Sequence, residues 1–384
     1  MNNIHRIGIM TSGGDCPGLN AVIRAVAKAA LGSHHLEVMG IEDGFLGLIQ
    51  NRMRMLDNES VSNILTLGGT ILGTNNKVSP RNYAVKVNDR IETRDVTDRC
   101  LEHIAHNHLD ALVVIGGDGS MAIASDFVRL GVNCIGVPKT IDNDLYGTDV
   151  TFGFATAVSV ATDALDRVHT TAASHHRVMI VEVMGRNSGW IALHSGIASG
   201  SDVILIPEIP FDVKILCDYV TYRARHGKRF SIICVSEGAI PVGGKQVVDR
   251  VDPTSPDPIR LGGIGQVLAE QVEGATGIEP RTVKLGHVQR GGIRKIRNLI
   301  ELIDRHISGW RVEHVRNAVD DCGARMFDGR RLDHVELHVR FTLDLPIAHI
   351  AIIRPVHLAD TGSFQRDALI SFGGYHGGHA DAFA

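Results

Sequence analysis

Aromatic side chains are scarce in this chain: Phe, Trp and Tyr make up 5% of 384 residues. So few rings cannot build the stacking platforms on which single-stranded nucleic acid is held. Excess positive charge is lacking as well. Lys and Arg number 39 against 43 Asp and Glu, a net charge of −4, which leaves neither a basic footprint for nucleic acid nor an acidic tail. No apolar run approaches the roughly 18 residues of a membrane span. The start, Met1 to Arg6, leads straight into a strand-like stretch with no signal-peptide core. The six cysteines (Cys16, Cys100, Cys134, Cys217, Cys234, Cys322) include no CxxC pair and read as reduced thiols of a cytoplasmic protein. Neither a GxxxxGK[ST] phosphate loop nor a GxSxG nucleophile elbow occurs. Repeats of about 20–50 residues are absent, which excludes a solenoid.

What the chain does have is apolar strand candidates alternating with helical patterns. The clearest strands are Arg6–Met10, Ala111–Ile115, Asn133–Val137, Arg177–Val183, Asp202–Ile206 and Phe230–Val235. They are near-continuous apolar runs, the pattern of strands covered on both faces, and they imply parallel sheets in an α/β protein. Helices are expected over Asn20–Leu31, Val96–Asn107, Thr156–Thr170 and Leu261–Val272. With no flexible linker, a domain boundary is placed near residue 150. The stretch from Asp252 to Pro258, rich in Pro, reads as a surface loop.

Four polar or glycine-rich turns follow strands. Thr11-Ser12-Gly13-Gly14-Asp15-Cys16-Pro17-Gly18-Leu19-Asn20 precedes a helix, where close backbone approach and helix-start N–H groups favour an anion; a tight structural turn is the alternative. In Gly116-Gly117-Asp118-Gly119-Ser120 the carboxylate either caps the next helix or holds Mg²⁺ against phosphates. Pro138-Lys139-Thr140-Ile141-Asp142-Asn143-Asp144 sets two acids two residues apart, suited to a base beside a metal or to a plain Asx-type turn. Met184-Gly185-Arg186-Asn187-Ser188-Gly189-Trp190 offers a guanidinium that can fork onto phosphate. Further on stand Glu237, and then Arg281, His287 and Arg290, three cations within ten residues that look like an anion pocket. Cys100, His103, His106 and His108 fall in one expected helix and read as a solvated face rather than a zinc site.

Those turns, in that order, resemble the phosphofructokinase family, together with LGHVQRGG at 285–292. The resemblance runs from about residue 5 to 292. It implies two Rossmann-like αβα domains, a phosphate-donor domain over 1–150 and a sugar-phosphate domain over 151–292, with the active site in the cleft between them. It further implies Mg²⁺-dependent transfer of phosphate to the 1-hydroxyl of fructose 6-phosphate, a cytoplasmic glycolytic reaction. Carried over by motif, Asp142 would be the base and Thr140 would bind the same end of the sugar. Asp118 would bind Mg²⁺, with Asp144 nearby. Gly14, Gly117, Gly119 and Ser120 would line the nucleotide phosphates, and Lys77 would replace a phosphate-binding Arg. Arg186 would neutralise the group in flight. Met184, Gly185, Glu237, His287 and Arg290 would hold the sugar phosphate. Arg177 and Arg281 match two arginines that reach in from a neighbouring subunit, so the chain is expected to partner itself as a homodimer or homotetramer, with no nucleic-acid or membrane partner.

Two residues bear on the donor. Pyrophosphate users of the family tend to carry Asp where this chain has Gly119, so Gly119 favours ATP; they usually carry Lys at the position of Lys139, an opposing signal. The balance implies ATP. The alternatives are a pyrophosphate-dependent enzyme of the same fold and a catalytically impaired sugar-phosphate-binding relative; a lipid or NAD kinase is more distant. The impaired relative is raised by the tail. After Gly292 the family's Pro and Asp-Arg do not appear, and residues 293–384 hold 11 Arg against one Lys, with 8 of the 20 His. That texture suggests translation from a shifted reading frame. This expectation falls on residues outside those the structure describes.

Overall fold

The computed structural model describes residues 4–87, 90–252 and 258–292. Their contacts divide them into two compact units. The first comprises residues 4–157 with 250–260 and the stretch from 287; the second comprises 158–249 and 261–286. Composition gives no sign that residues 287–292 return to the first unit.

The first unit opens with β1 (Arg6–Thr11), α1 (Leu19–Lys28), β2 (Glu37–Ile41), α2 (Phe45–Gln50) and β3 (Met53–Leu56). A hairpin of β4 (Tyr83–Val87) and β5 (Arg90–Arg94) follows, then α3 (Thr97–His106), β6 (Ala111–Gly116), α4 (Asp118–Arg129), β7 (Cys134–Thr140) and β8 (Phe152–Gly153). The sheet order is β3-β2-β1-β6-β7-β8. Only β3 runs antiparallel, and β1 is in register with β6 from Ile7↔Ala111 to Thr11↔Ile115. β1 and β6 are buried almost throughout, because helices cover both faces and leave no solvent-facing side to alternate. Phe45 from α2 and Phe127 from α4 stack with ring centroids 6.1 Å apart. Each such ring or aliphatic side chain, fully buried, contributes about 1.5–3 kcal/mol.

The division between units falls within α5 (Phe154–His175). Next come β9 (Val178–Val183), α6 (Trp190–Ala198), β10 (Val203–Leu205), α7 (Val213–Arg225) and β11 (Ser231–Ser236). A ribbon of β12 (Val248–Val251) and β13 (Ile259–Leu261) precedes α8 (Ile264–Thr276) and β14 (Pro280–Lys284). The second sheet is wholly parallel in the order β10-β11-β9-β14. The fold is therefore α/β with mainly parallel sheets, as the apolar runs imply.

Three elements depart from expectation. The helix expected to begin at Leu261 begins at Ile264, because Leu261 ends β13 and Gly262 and Gly263, both at positive φ, make the turn. The helix expected over Thr156–Thr170 runs longer, from Phe154 to His175. β14 has no apolar run to reveal it, since Arg281, Thr282 and Lys284 are exposed.

Candidate active site

From β1 the chain moves to β2 on one side, while β6 and β7 lie on the other, so strand order reverses between β1 and β6. Open α/β sheets take ligands in the crevice outside the carboxyl ends of strands at such a reversal. The first two glycine turns follow these two strands, and Ser12 N–H donates to Ile115 O at 2.9 Å, joining their bases.

Three successive carbonyls of the first turn are held by side chains from three segments. Thr74 Oγ1 donates to Gly13 O at 2.7 Å, Lys139 Nζ donates to Gly14 O, and Arg290 Nη1 donates to Asp15 O at 3.0 Å. Lys139 is 3% exposed. Burial pulls its ammonium below the usual lysine range; Arg290 pushes the same way, while Asp142 and Asp15 favour the charge. Cys16 lies in the same field, and burial pushes its thiol up to about 12, which leaves it un-ionised and inert. Lys77, mostly exposed, pairs with Asp252 at 3.6 Å.

Asp118 is the exposed first residue of α4, directly after the N-cap Gly117, which has no side chain to cap the helix. Gly119 is exposed, and a Cβ there would meet nothing within 4 Å. Ser120 is buried. Among the described residues no group of three or more His, Cys, Asp or Glu could hold a metal ion. The third turn begins at Thr140, the last residue of β7, whose Oγ1 accepts from Asp142 N at 3.1 Å. Thr151 fastens it by donating to Thr140 O at 2.7 Å and to Asn143 Oδ1 at 2.9 Å. Asp142 is half-buried and Asp144 exposed.

In the second unit, β9 ends at Val183 and Met184-Gly185-Arg186 turns away from it. Gly185 sits at φ 136°, and a Cβ would lie 2.3 Å from Ser188 O, so only glycine fits. Arg186 takes a left-handed φ of 52°. Glu237 follows β11; its Oε1 accepts from Arg186 N at 3.2 Å, and its own N–H donates to Val183 O at 2.8 Å. One carboxylate oxygen of Glu237 thus fixes the turn that presents Arg186. His287 is exposed in the short 3₁₀ turn Gly286–Arg290, which also carries Arg290.

Arg177 and Arg281 are elsewhere. Arg177 immediately precedes β9, and Arg281 is in register with Met179 on β14. Arg186 follows the other end of β9. The six residues of β9 span roughly 20 Å, more than a side chain reaches. Arg177 Nε donates to Glu279 Oε2 at 2.5 Å and Arg281 Nη2 donates to Glu279 Oε1. The chain brings these two arginines to each other through Glu279, and not to Arg186.

Thr74, Glu279, Gly238 and Glu208 escape a reading of the sequence. Gly238 lies where a Cβ would be 1.7 Å from Arg186 O, and Glu208 Oε1 accepts from Gly189 N at 2.8 Å. Their signal in the sequence is no more than single polar or Gly residues in loops. The expected solvated face of α3 is corrected: Cys100 is wholly buried in the core, and His103 Nδ1 is 2.8 Å from Leu48 O. His108 lies beyond the helix, with φ 53°. The five described cysteines are free. Among the described residues, no helix is long and apolar enough to cross a membrane.

A family model described as Phosphofructokinase matches residues 6–300. The chain belongs to the phosphofructokinase family. Relatives in that family include a Clostridium perfringens protein named ATP-dependent 6-phosphofructokinase 2, 55% identical over 294 residues, 76% of this chain and 80% of that one. A Streptomyces coelicolor protein named pyrophosphate–fructose 6-phosphate 1-phosphotransferase is 47% identical over 288 residues, 75% of this chain and 81% of that one. Among solved structures, Pichia pastoris phosphofructokinase in the T-state superposes with a TM-score of 0.63 at 31% identity; the match covers 85% of this chain and one third (33%) of that phosphofructokinase chain.

Proposed function

We propose that this member of the phosphofructokinase family transfers the terminal phosphoryl group of ATP to the 1-hydroxyl of fructose 6-phosphate, giving fructose 1,6-bisphosphate. The observation that carries the reading is the convergence at the β1–β6 strand reversal. Two glycine turns meet there, with Lys139 and Arg290 on consecutive loop carbonyls and Asp142 in the same electrostatic field. The named activity of the 55% identical relative supports it.

In this reading Gly14, Gly117, Gly119 and Ser120 line the donor phosphates and Lys77 pairs with them. Asp118 holds Mg²⁺, which supplies charge neutralisation to the phosphate oxygens. Asp142 accepts the proton of the sugar 1-hydroxyl while Thr140 orients that end of the sugar. Met184, Gly185, Glu237, His287 and Arg290 hold the sugar phosphate, and Arg186 offsets charge on the group in transfer. Arg177 and Arg281 serve the sugar phosphate of a second copy of the chain, in a homodimer or homotetramer acting in the cytoplasm. Placement at the far end of β9 supports that assignment.

Lys139 favours a second reading, in which pyrophosphate is the donor: a buried ammonium at the loop suits a compact dianion. A coupled assay on the purified full chain, run side by side with ATP and pyrophosphate, separates the two. Turnover with pyrophosphate alone would overturn the first reading, and turnover with neither would overturn both.

A further inference from the structure

Thr74 has no part in the site as so far assigned, yet its hydroxyl holds the carbonyl of Gly13 at 2.7 Å. The peptide N–H of Gly13 in turn donates to Asn75 O at 3.1 Å. Both groups of the first loop glycine are thus taken by adjacent residues of one segment. That segment is itself fastened to the strand and helix on either side of the loop. Thr11 Oγ1 donates to Gly73 O at 2.6 Å, and Asn20 Nδ2 donates to Leu67 O at 3.1 Å. Ile71 N donates to Asn20 Oδ1 at 2.7 Å, and Asp43 N donates to Leu72 O at 2.8 Å. The hydroxyl of Thr74 is therefore delivered by a stiff support.

The next two carbonyls, Gly14 and Asp15, are taken by the cations Lys139 and Arg290. Thr74 is the one neutral member of the three. Removing either cation alters local charge and backbone at once, whereas removing the Thr74 hydroxyl alters the backbone alone.

We propose that Thr74 is a positioning residue for the phosphoryl donor: by fixing the Gly13 carbonyl it presets the Gly13–Asp15 backbone to receive the donor phosphates. The inference rests on the donor reading above. A loop set in advance binds tighter because less ordering is needed on association.

The test compares Thr74→Val, which keeps the shape and loses the hydroxyl, with Thr74→Ser, which keeps the hydroxyl. Calorimetric binding of Mg-ATP to the full chain and KM for each substrate are the readouts. Thr74→Val weakens ATP binding and raises its KM about fivefold, the scale of one neutral hydrogen bond. The KM for fructose 6-phosphate stays put, the melting temperature falls by no more than about 2–4 °C, and Thr74→Ser restores ATP binding. Unchanged ATP binding in Thr74→Val overturns the proposal, as does equal weakening towards both substrates. A wild type that binds ATP without phosphorylating fructose 6-phosphate sinks the activity reading, while the calorimetric comparison still decides the role of Thr74. A wild type that binds neither ATP nor pyrophosphate sinks both.

Discussion

Arg177 and Arg186 stand at opposite ends of β9, one just before Val178 and the other three residues beyond Val183. In the reading proposed above, Arg186 of one copy and Arg177 of another meet at one sugar phosphate. Mixing therefore gives a direct test. Arg177→Ala and Arg186→Ala are each expected to lose most turnover alone. Co-expressed at equal levels as random dimers, they should regain about a quarter of wild-type activity, since each mixed pair keeps one intact site. Mixed oligomers no more active than either parent would mean that both arginines reach the substrate from the same chain.

Asp142→Asn should lower kcat by about 10²–10⁴-fold, the usual contribution of a positioned base. Sugar-phosphate binding, measured by equilibrium dialysis, should change little. The turn is fastened by Thr140, Asn143 and Thr151 and does not depend on the Asp142 carboxylate for these bonds. Parallel loss of binding and turnover would contradict the assigned role.

Gly119→Asp should impair ATP use without harming the fold. A Cβ there meets nothing within 4 Å, so the carboxylate has room in the free protein and acts only against bound phosphates. The expected result is a KM for ATP raised about tenfold or more, from like-charge repulsion near the phosphates, with the melting temperature unchanged. Unaltered ATP kinetics would remove Gly119 from donor choice.

Lys139 gives a prediction with a sign. Its folded-state pKa is below the unfolded value of 10.5, chiefly through burial. At pH below the folded value both states are protonated, and the cost of the buried charge is fully present. As pH rises from there towards the unfolded value, the unfolded chain binds more protons than the native one, so native stability rises. The stability of wild type relative to Lys139→Met should therefore increase as pH rises towards 10.5 in urea titrations. A difference that stays constant up to that pH, or falls, would show that the folded-state pKa of Lys139 is not lowered.

Much of the fold is legible in local patterns of residues. The runs at Ile7–Met10 and Ala111–Ile115 are continuous because helices cover both faces of their sheet, and the observed strands differ from them by a residue or so. β14 is hidden from such a reading because Arg281, Thr282 and Lys284 face solvent, so its ladder has no apolar signature. Cys100 misleads for a related reason: a single buried thiol among exposed polar neighbours on α3 leaves the helix looking solvated.

The amino-acid order alone determined the α/β architecture and the places of the turns that follow its strands, since apolar run and glycine are local properties of neighbouring residues. The folded chain alone decided which side chains hold the first glycine turn and that Arg177 and Arg281 meet at Glu279. Thr74 and Gly13 are 61 positions apart, Lys139 and Gly14 are 125, and Arg290 and Asp15 are 275. Contacts of that separation are set by strand order and by the packing of whole elements, which no local pattern encodes.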